Sequence, residues 1–162
     1  VRMPKNARTA AAVLGCLGAA TAIASSAPAS AQTVEFPQTP SVFFGGLCWG
    51  SIRTWADTSA DYPGRAIINV QSLPIAGVGQ GQYPLAPLCD VDTTVAWRNT
   101  TTGAAGEYRL NVVAGIYGSI LYAQFQDTGP GHIEVTTTTA NFNIPSHGAF
   151  DVAGPPPPPP GE

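Results

Sequence analysis

TTVAWRNTTTGAAGEYRLNVV, residues Thr93 to Val113, decides how this chain folds. Thr93–Asn99 is rich in β-branched and aromatic residues, as a strand requires. Thr100–Gly106 supplies turn residues, and Glu107–Val113 returns with alternating character. Two such runs around a Gly-containing loop read as a β-hairpin. The same reading extends outward in both directions. Upstream, Arg65–Leu73 places Ala66, Ile68 and Val70 in alternation with Ile67, Asn69 and Gln71, the period of a half-buried strand. Val42–Asp57 is aromatic-rich and broken by Gly45, Gly46 and Gly50, which predicts one strand with a bend or bulge. Downstream, Ser119–Gln126 and His132–Thr139 flank Asp127–Gly131 and read as a second hairpin. Asn141–Ile144 and Ala149–Val152 read as short closing strands, and Pro74–Pro87 as a long irregular connection.

Composition agrees. Of 162 residues, 18 are Gly and 16 Pro, and only 10% are charged. In a helix interior each Gly costs about 1 kcal/mol and each Pro about 3 relative to Ala, so a helical bundle is excluded. About seven or eight short strands with regular turn signals predict an all-β fold, an antiparallel two-sheet, immunoglobulin-like β-sandwich.

The first 31 residues are of another kind. A basic head with Arg2, Lys5 and Arg8 precedes an apolar run from Thr9 to Ile23 and the small-residue end Ala29-Ser30-Ala31. This is the pattern of a cleaved signal peptide. The apolar run is shorter than the roughly 20 residues of a spanning helix, so no membrane span is expected. A leader opening on Val1 fits a GUG start codon read literally, hence a bacterial source. Cys16 stands in a loose lipobox, but the apolar run continues past it, and it is expected to leave with the leader. Residues 32–41 then read as an extended lead-in and edge strand, 42–153 as the sandwich, and 154–162 as a proline-rich tail. Six consecutive prolines, Pro155–Pro160, form a stiff polyproline II spacer of about 19 Å.

After cleavage the cations are Arg53, Arg65, Arg98 and Arg109 against ten acidic residues, a net charge of −6 with no lysine. No basic stripe exists to neutralise phosphates, so nucleic acid is excluded as a partner, and anionic membrane is a poor one. Cys48 and Cys89 remain as an even pair in an exported chain and are expected to form one disulfide, worth about 4 kcal/mol by loop-closure entropy. Their separation suits neither a C-x-x-C redox motif nor a zinc site.

Catalytic and cofactor motifs fare poorly. Gly77-Val78-Gly79-Gln80-Gly81 lacks the final Gly and the helix start of a phosphate loop. Asp90 and Asp92 lack the further ligands of a calcium loop. His132, Glu134 and His147, with Asp127, are the only set that suggests a metal site or an acid and base pair, and it carries the least favoured hypothesis, a small metal-dependent or hydrolytic enzyme. No cofactor is expected. The aromatics point elsewhere. Trp49 and Trp97 are expected to pack on the disulfide, as a buried Trp does in immunoglobulin-type sandwiches. Tyr83 in the long loop, Tyr117 at a Gly-flanked turn, and Trp55 are the candidate ligand contacts.

Val95–Asn99, the turn Thr102–Gly106 and the closing Asn143–Val152 resemble small exported β-sandwich proteins of mycobacteria and related actinobacteria. That resemblance implies an exported sandwich and brings no catalytic residue with it. The expectation is therefore a secreted, non-catalytic protein that binds a protein or envelope component outside the cell, with a glycan-binding module as the alternative.

Overall fold

The computed structural model describes residues 31–159. Most of the expected signal peptide, with Cys16, and the end of the proline tail lie outside the described residues. Ten strands and no helix make up the described chain: β1 Gln32–Glu35, β2 Thr39–Phe43, β3 Gly46–Thr58, β4 Ala66–Ser72, β5 Ala76–Gly79, β6 Cys89–Asn99, β7 Ala105–Ala114, β8 Tyr122–Gln126, β9 Gly131–Thr139 and β10 Ser146–Val152. They form two antiparallel sheets. The larger is built on β3, whose first half is flanked by β2 and β5 and whose second half by β1 and β4, with β8 beyond β4. The smaller has the order β10-β9-β6-β7.

Alternation along each strand sends one set of side chains inward. Ile52, Ala56, Ile68 and Val70 of the larger sheet meet Val91, Val95, Val112 and Ile133 of the smaller one, all fully buried. Hydroxyls share this interior: Thr137 Oγ1 donates to Thr54 Oγ1 at 3.2 Å and Thr139 Oγ1 to Ser41 Oγ at 3.1 Å, so these buried groups stay paired. Cys48 of β3 and Cys89 of β6 form the expected disulfide, which ties one sheet to the other.

The β6–β7 hairpin and β4 lie where the sequence placed them. Other expectations need correction. Val42–Asp57 is not one bent strand: Gly45, at φ 105°, turns the chain back and makes a β2–β3 hairpin. Residues 32–41 pair along β3 and so belong to the larger sheet. The connection from Pro74 to Pro87 contains β5. Ser119–Gln126 and His132–Thr139 do not form a hairpin, because β8 pairs with β4 while β9 pairs with β6 and β10. The turn between them crosses from sheet to sheet, held there by Asn99, whose Nδ2 donates to the Thr128 and Pro130 carbonyls at 2.9 and 3.0 Å. Asn141–Ile144 is a loop with one bridge, Ser41 to Asn143.

Neither tryptophan packs on the disulfide. Trp49 directly follows Cys48 in β3, so the two-residue period turns it to the outer face, where it is 57% exposed. Trp97 does face the core, yet it lies eight residues along β6 from Cys89, about 27 Å at strand rise. It sits on Gly106 and donates from Nε1 to Gln126 Oε1 at 2.9 Å.

The register gives the sandwich two distinct ends. β1 begins opposite Thr58, β10 ends opposite Gly131, and Gly64 N–H donates to the Ala153 carbonyl, so the first strand and the proline tail emerge together. The disulfide, the β2–β3 turn and the β5–β6, β7–β8 and β9–β10 loops lie at the opposite end.

Candidate binding surface

Sixteen large apolar side chains are exposed among the described residues, and all but Phe125 lie in the half that holds the disulfide. Their arrangement begins on the outer face of β3. Trp49 lies opposite Val42 of β2 and Ala76 of β5, and Leu47 lies opposite Val78. The Ser41–Asn143 bridge extends this row across the edge of β2: Val42 N–H donates to the Phe142 carbonyl at 2.9 Å and Ile144 N–H to the Pro40 carbonyl at 3.0 Å. Opposed residues of an antiparallel pair share a face, so Phe142, Val42, Trp49 and Ala76 form one apolar band. Gly77, at φ 129°, makes its tight inner edge, since any Cβ there would collide with the Leu47 carbonyl.

The loops carry the band over the end of the sandwich, and each does so by a closed turn. Gly115 and Gly118 exchange N–H···O bonds at 3.0 and 2.9 Å, which puts Ile116 and Tyr117 at the tip, Tyr117 being 91% exposed. Ala86 N–H donates to the Tyr83 carbonyl at 3.0 Å, with Pro84 fixing φ and Leu85 at the tip, 83% exposed. In the β9–β10 loop the Asn141 side chain accepts from Phe142 N–H, and Asn143 Nδ2 donates to the Thr139 and Asn141 carbonyls, leaving Phe142 77% exposed between them. Central turn positions ordinarily hold Gly, Pro, Asn, Asp or Ser. Here the chemistry that makes the turn lies beside an apolar residue that faces solvent.

Charge is absent from the loops and strand ends of this surface, with Asp90 and Asp92 at its border. Residues 73–88, 115–121 and 140–145, and the strand ends from 39 to 52, contain no Asp, Glu, Lys, Arg or His. Tyr83 and Tyr117, expected as contacts, are both on it. Trp55 is not. It lies farther along β3 and is half-buried, and the Arg53 guanidinium covers its ring at 4.3 Å from the centroid. Arg53 is held in turn by Glu35, a bond that raises the arginine pKa.

The polar candidates lie elsewhere, and the two histidines are bonded to other groups. His132, Glu134 and His147 share the outer face of β9 and β10, but His132 Nδ1 lies 2.8 Å from Asp151 Oδ1, His147 Nδ1 lies 3.0 Å from Thr136 Oγ1, and Glu134 stands opposite Arg98. Asp127 is not with them; it pairs with Arg65 at the end that carries the tail. Among the described residues no three His, Cys, Asp or Glu groups are placed to hold a metal ion. Asn111 Nδ2 donates to Asp90 Oδ2 and to Asp92 Oδ1, each at 2.9 Å. Tyr62 and Tyr108 have raised pKa values, the first from burial with Asp57 and Asp61 nearby, the second from burial at the edge of the core, where its hydroxyl faces the Ile68 carbonyl.

Comparison with protein-family models, curated proteins and solved structures gives no match. The surface must therefore be read from its own chemistry. Sequence reasoning found Tyr83 and Tyr117 but missed Leu47, Trp49, Leu85 and Phe142. A usable signal was present: large apolar residues set inside turn formers, as in Gly115-Ile116-Tyr117-Gly118, Tyr83-Pro84-Leu85-Ala86 and Asn141-Phe142-Asn143, within long stretches free of charge.

Proposed function

We propose that this is a secreted, non-catalytic protein that docks on a component of the cell envelope through the uncharged apolar end of its sandwich. One observation carries the reading: the exposed apolar residues gather at the end opposite the first strand and the proline tail. Scattered exposed apolar residues are ordinary, whereas a contiguous patch beyond a few hundred Å² marks an interaction surface. The leader-like residues 1–31 and the cystine support export. No helix among the described residues is long and apolar enough to cross a membrane.

The test is co-sedimentation of the purified protein with isolated bacterial envelopes, comparing it with the triple variant Leu85→Ser/Tyr117→Ser/Phe142→Ser and with Phe125→Ser, an apolar position at the other end. Pelleting lost in the triple variant and kept in Phe125→Ser is the expected result. Equal pelleting of all three proteins, or none by any, overturns the reading. A glycan-binding reading draws on Trp49, whose exposed ring offers a stacking face. Its neighbours Val42, Leu47, Ala76 and Val78 give sugar hydroxyls no side-chain partner, so Trp fluorescence is expected to stay unquenched across a panel of soluble oligosaccharides.

A further inference from the structure

We infer that the component bound at this end is an uncharged lipid surface, entered end-on by the loop tips to the depth of the headgroup and acyl boundary. This rests on the docking surface proposed above and names what it meets.

Four features of that end select lipid over a folded protein partner. First, its loops carry no charge, and the charged groups that border it, Asp90 and Asp92, are both acidic. Protein interfaces enrich Arg and carry a hydrogen bond for every 100–200 Å² or so, whereas residues 73–88, 115–121 and 140–145 bring no ionic group. With no cation there and ten carboxylates in the whole chain, an anionic surface gains nothing from it, so the lipid must be zwitterionic or neutral. Second, the tips protrude separately. Leu85, Tyr117 and Phe142 stand on three different loops, each more than three-quarters exposed, as a soft surface accommodates and a rigid partner does only with three matched pockets.

Third, the backbone at two of the tips is already closed on itself. Insertion into an apolar phase requires main-chain polar groups to be satisfied internally. The mutual Gly115–Gly118 bonds and the Ala86-to-Tyr83 bond satisfy the residues that flank each turn, so that only the central amides of Ile116, Tyr117 and Leu85 are left to the water and headgroups of the boundary. Fourth, the residue types match an interfacial depth. Tyr83, Tyr117 and Trp49 are apolar bodies with a polar handle, the kind that collects at the bilayer–water boundary, while Leu85, Ile116 and Phe142 suit the shallow acyl layer. Such entry reaches about 5–10 Å, the depth of interfacial helices, and leaves the sheets in water. The proline tail then points away from the lipid.

The experiment is flotation of the mature chain, residues 32–162, with vesicles of phosphatidylcholine alone and with vesicles carrying one-third phosphatidylglycerol. It is joined by quenching of Trp fluorescence with lipids brominated along the acyl chain. Expected are co-flotation with pure phosphatidylcholine, no gain on adding phosphatidylglycerol, and quenching of the wild type that is lost in Trp49→Phe. Leu85→Ser/Tyr117→Ser/Phe142→Ser is expected to lower partitioning at least about tenfold, since burying even one such side chain corresponds to that factor. Phe125→Ser should float as the wild type does. Absence from the phosphatidylcholine fraction overturns the inference, as does flotation that requires phosphatidylglycerol or is indifferent to the triple variant. Envelopes extracted free of lipid separate the two levels. Tip-dependent pelleting with extracted envelopes but not with vesicles leaves the docking surface standing and removes lipid as its ligand. Tip-dependent dimerisation in sedimentation velocity without vesicle binding replaces lipid with a second copy. No tip-dependent binding to envelopes or vesicles removes both proposals.

Discussion

At the end that bears the tail, one side chain organises the loops: Asn99 donates to the Thr128 and Pro130 carbonyls and accepts from the Thr101 and Thr102 amides, while Thr100 and Thr101 bond to the backbone of His132. At the disulfide end the β5–β6 and β7–β8 tips close by backbone bonds within each turn, the β9–β10 loop closes by the short-range side-chain bonds of Asn141 and Asn143, and one cystine lies behind them. The same two sheets thus end in two different chemistries. Where polar side chains are used up in holding the loops, the surface offers a ligand little that is free. Where the backbone and a covalent bond hold the loops, the side chains are released to face outward, and there they are apolar. An exposed apolar tip that supports no neighbour contributes little to folding, so its presence calls for a reason outside the folded chain.

The strongest way to break this contrast is to remove the cystine. Closing a loop of 41 residues restricts the unfolded chain by about 4 kcal/mol in the loop-entropy account. The pair Cys48→Ala/Cys89→Ala is expected to lose about that much in urea unfolding, and hydrogen exchange should show the β2–β3 and β5–β6 loops opening first. If protection falls instead at the Asn99 end, the two ends are not held independently.

Asn99→Ala is the counterpart at the other end. The residue is fully buried, and truncation leaves two carbonyls and two amides without their partner. At about 1 kcal/mol for each bond, less what water recovers, the loss is about 3 kcal/mol in the same unfolding measurement. Vesicle and envelope binding should survive under conditions where the variant remains folded, because the apolar loops do not depend on Asn99. Binding lost from the folded variant would mean that the ends communicate.

These two anchors were unequally legible in the sequence. The cystine was plain, because two cysteines behind a leader-like segment have few alternatives. The sandwich was equally plain from Thr93–Val113 and from the alternation in Ala66–Val70, since period-two burial is local information. The long-range half of Asn99's role was invisible, for the Thr128 and Pro130 carbonyls lie about thirty residues away and no local pattern announces them. The β8–β9 error has the same origin: Asp127–Gly131 has the composition of a hairpin turn, and only Asn99 and Gly64, which accepts from Gly129 N–H, take it across to the other sheet. Trp49 was misplaced for a different reason. Its sidedness follows directly from Cys48 by alternation, which overrides any analogy with buried tryptophans. The apolar surface was half legible, in Tyr83 and Tyr117, because turn chemistry marks loops; the band through Val42, Trp49 and Phe142 needed the strand register.

The smallest expected effect is also the one that bears most on function. Replacing Tyr117 or Leu85 by Ser at the loop tips removes a large apolar side chain at 91% or 83% exposure, and surface changes of this kind shift stability by no more than about 0.5 kcal/mol. Each single variant should therefore unfold in urea as the wild type does, while giving up part of its binding. Had these residues been packed, the loss would resemble a core truncation of about 2–5 kcal/mol, and the binding defect could then be ascribed to a disordered loop. The turn bonds argue against that, because Gly115–Gly118 and Tyr83–Ala86 close through backbone atoms that the substitutions leave in place. A tip variant that keeps its stability and loses its partner separates the two jobs of this end: the glycines, Pro84 and the cystine hold its shape, and the apolar side chains they release act on something beyond the chain.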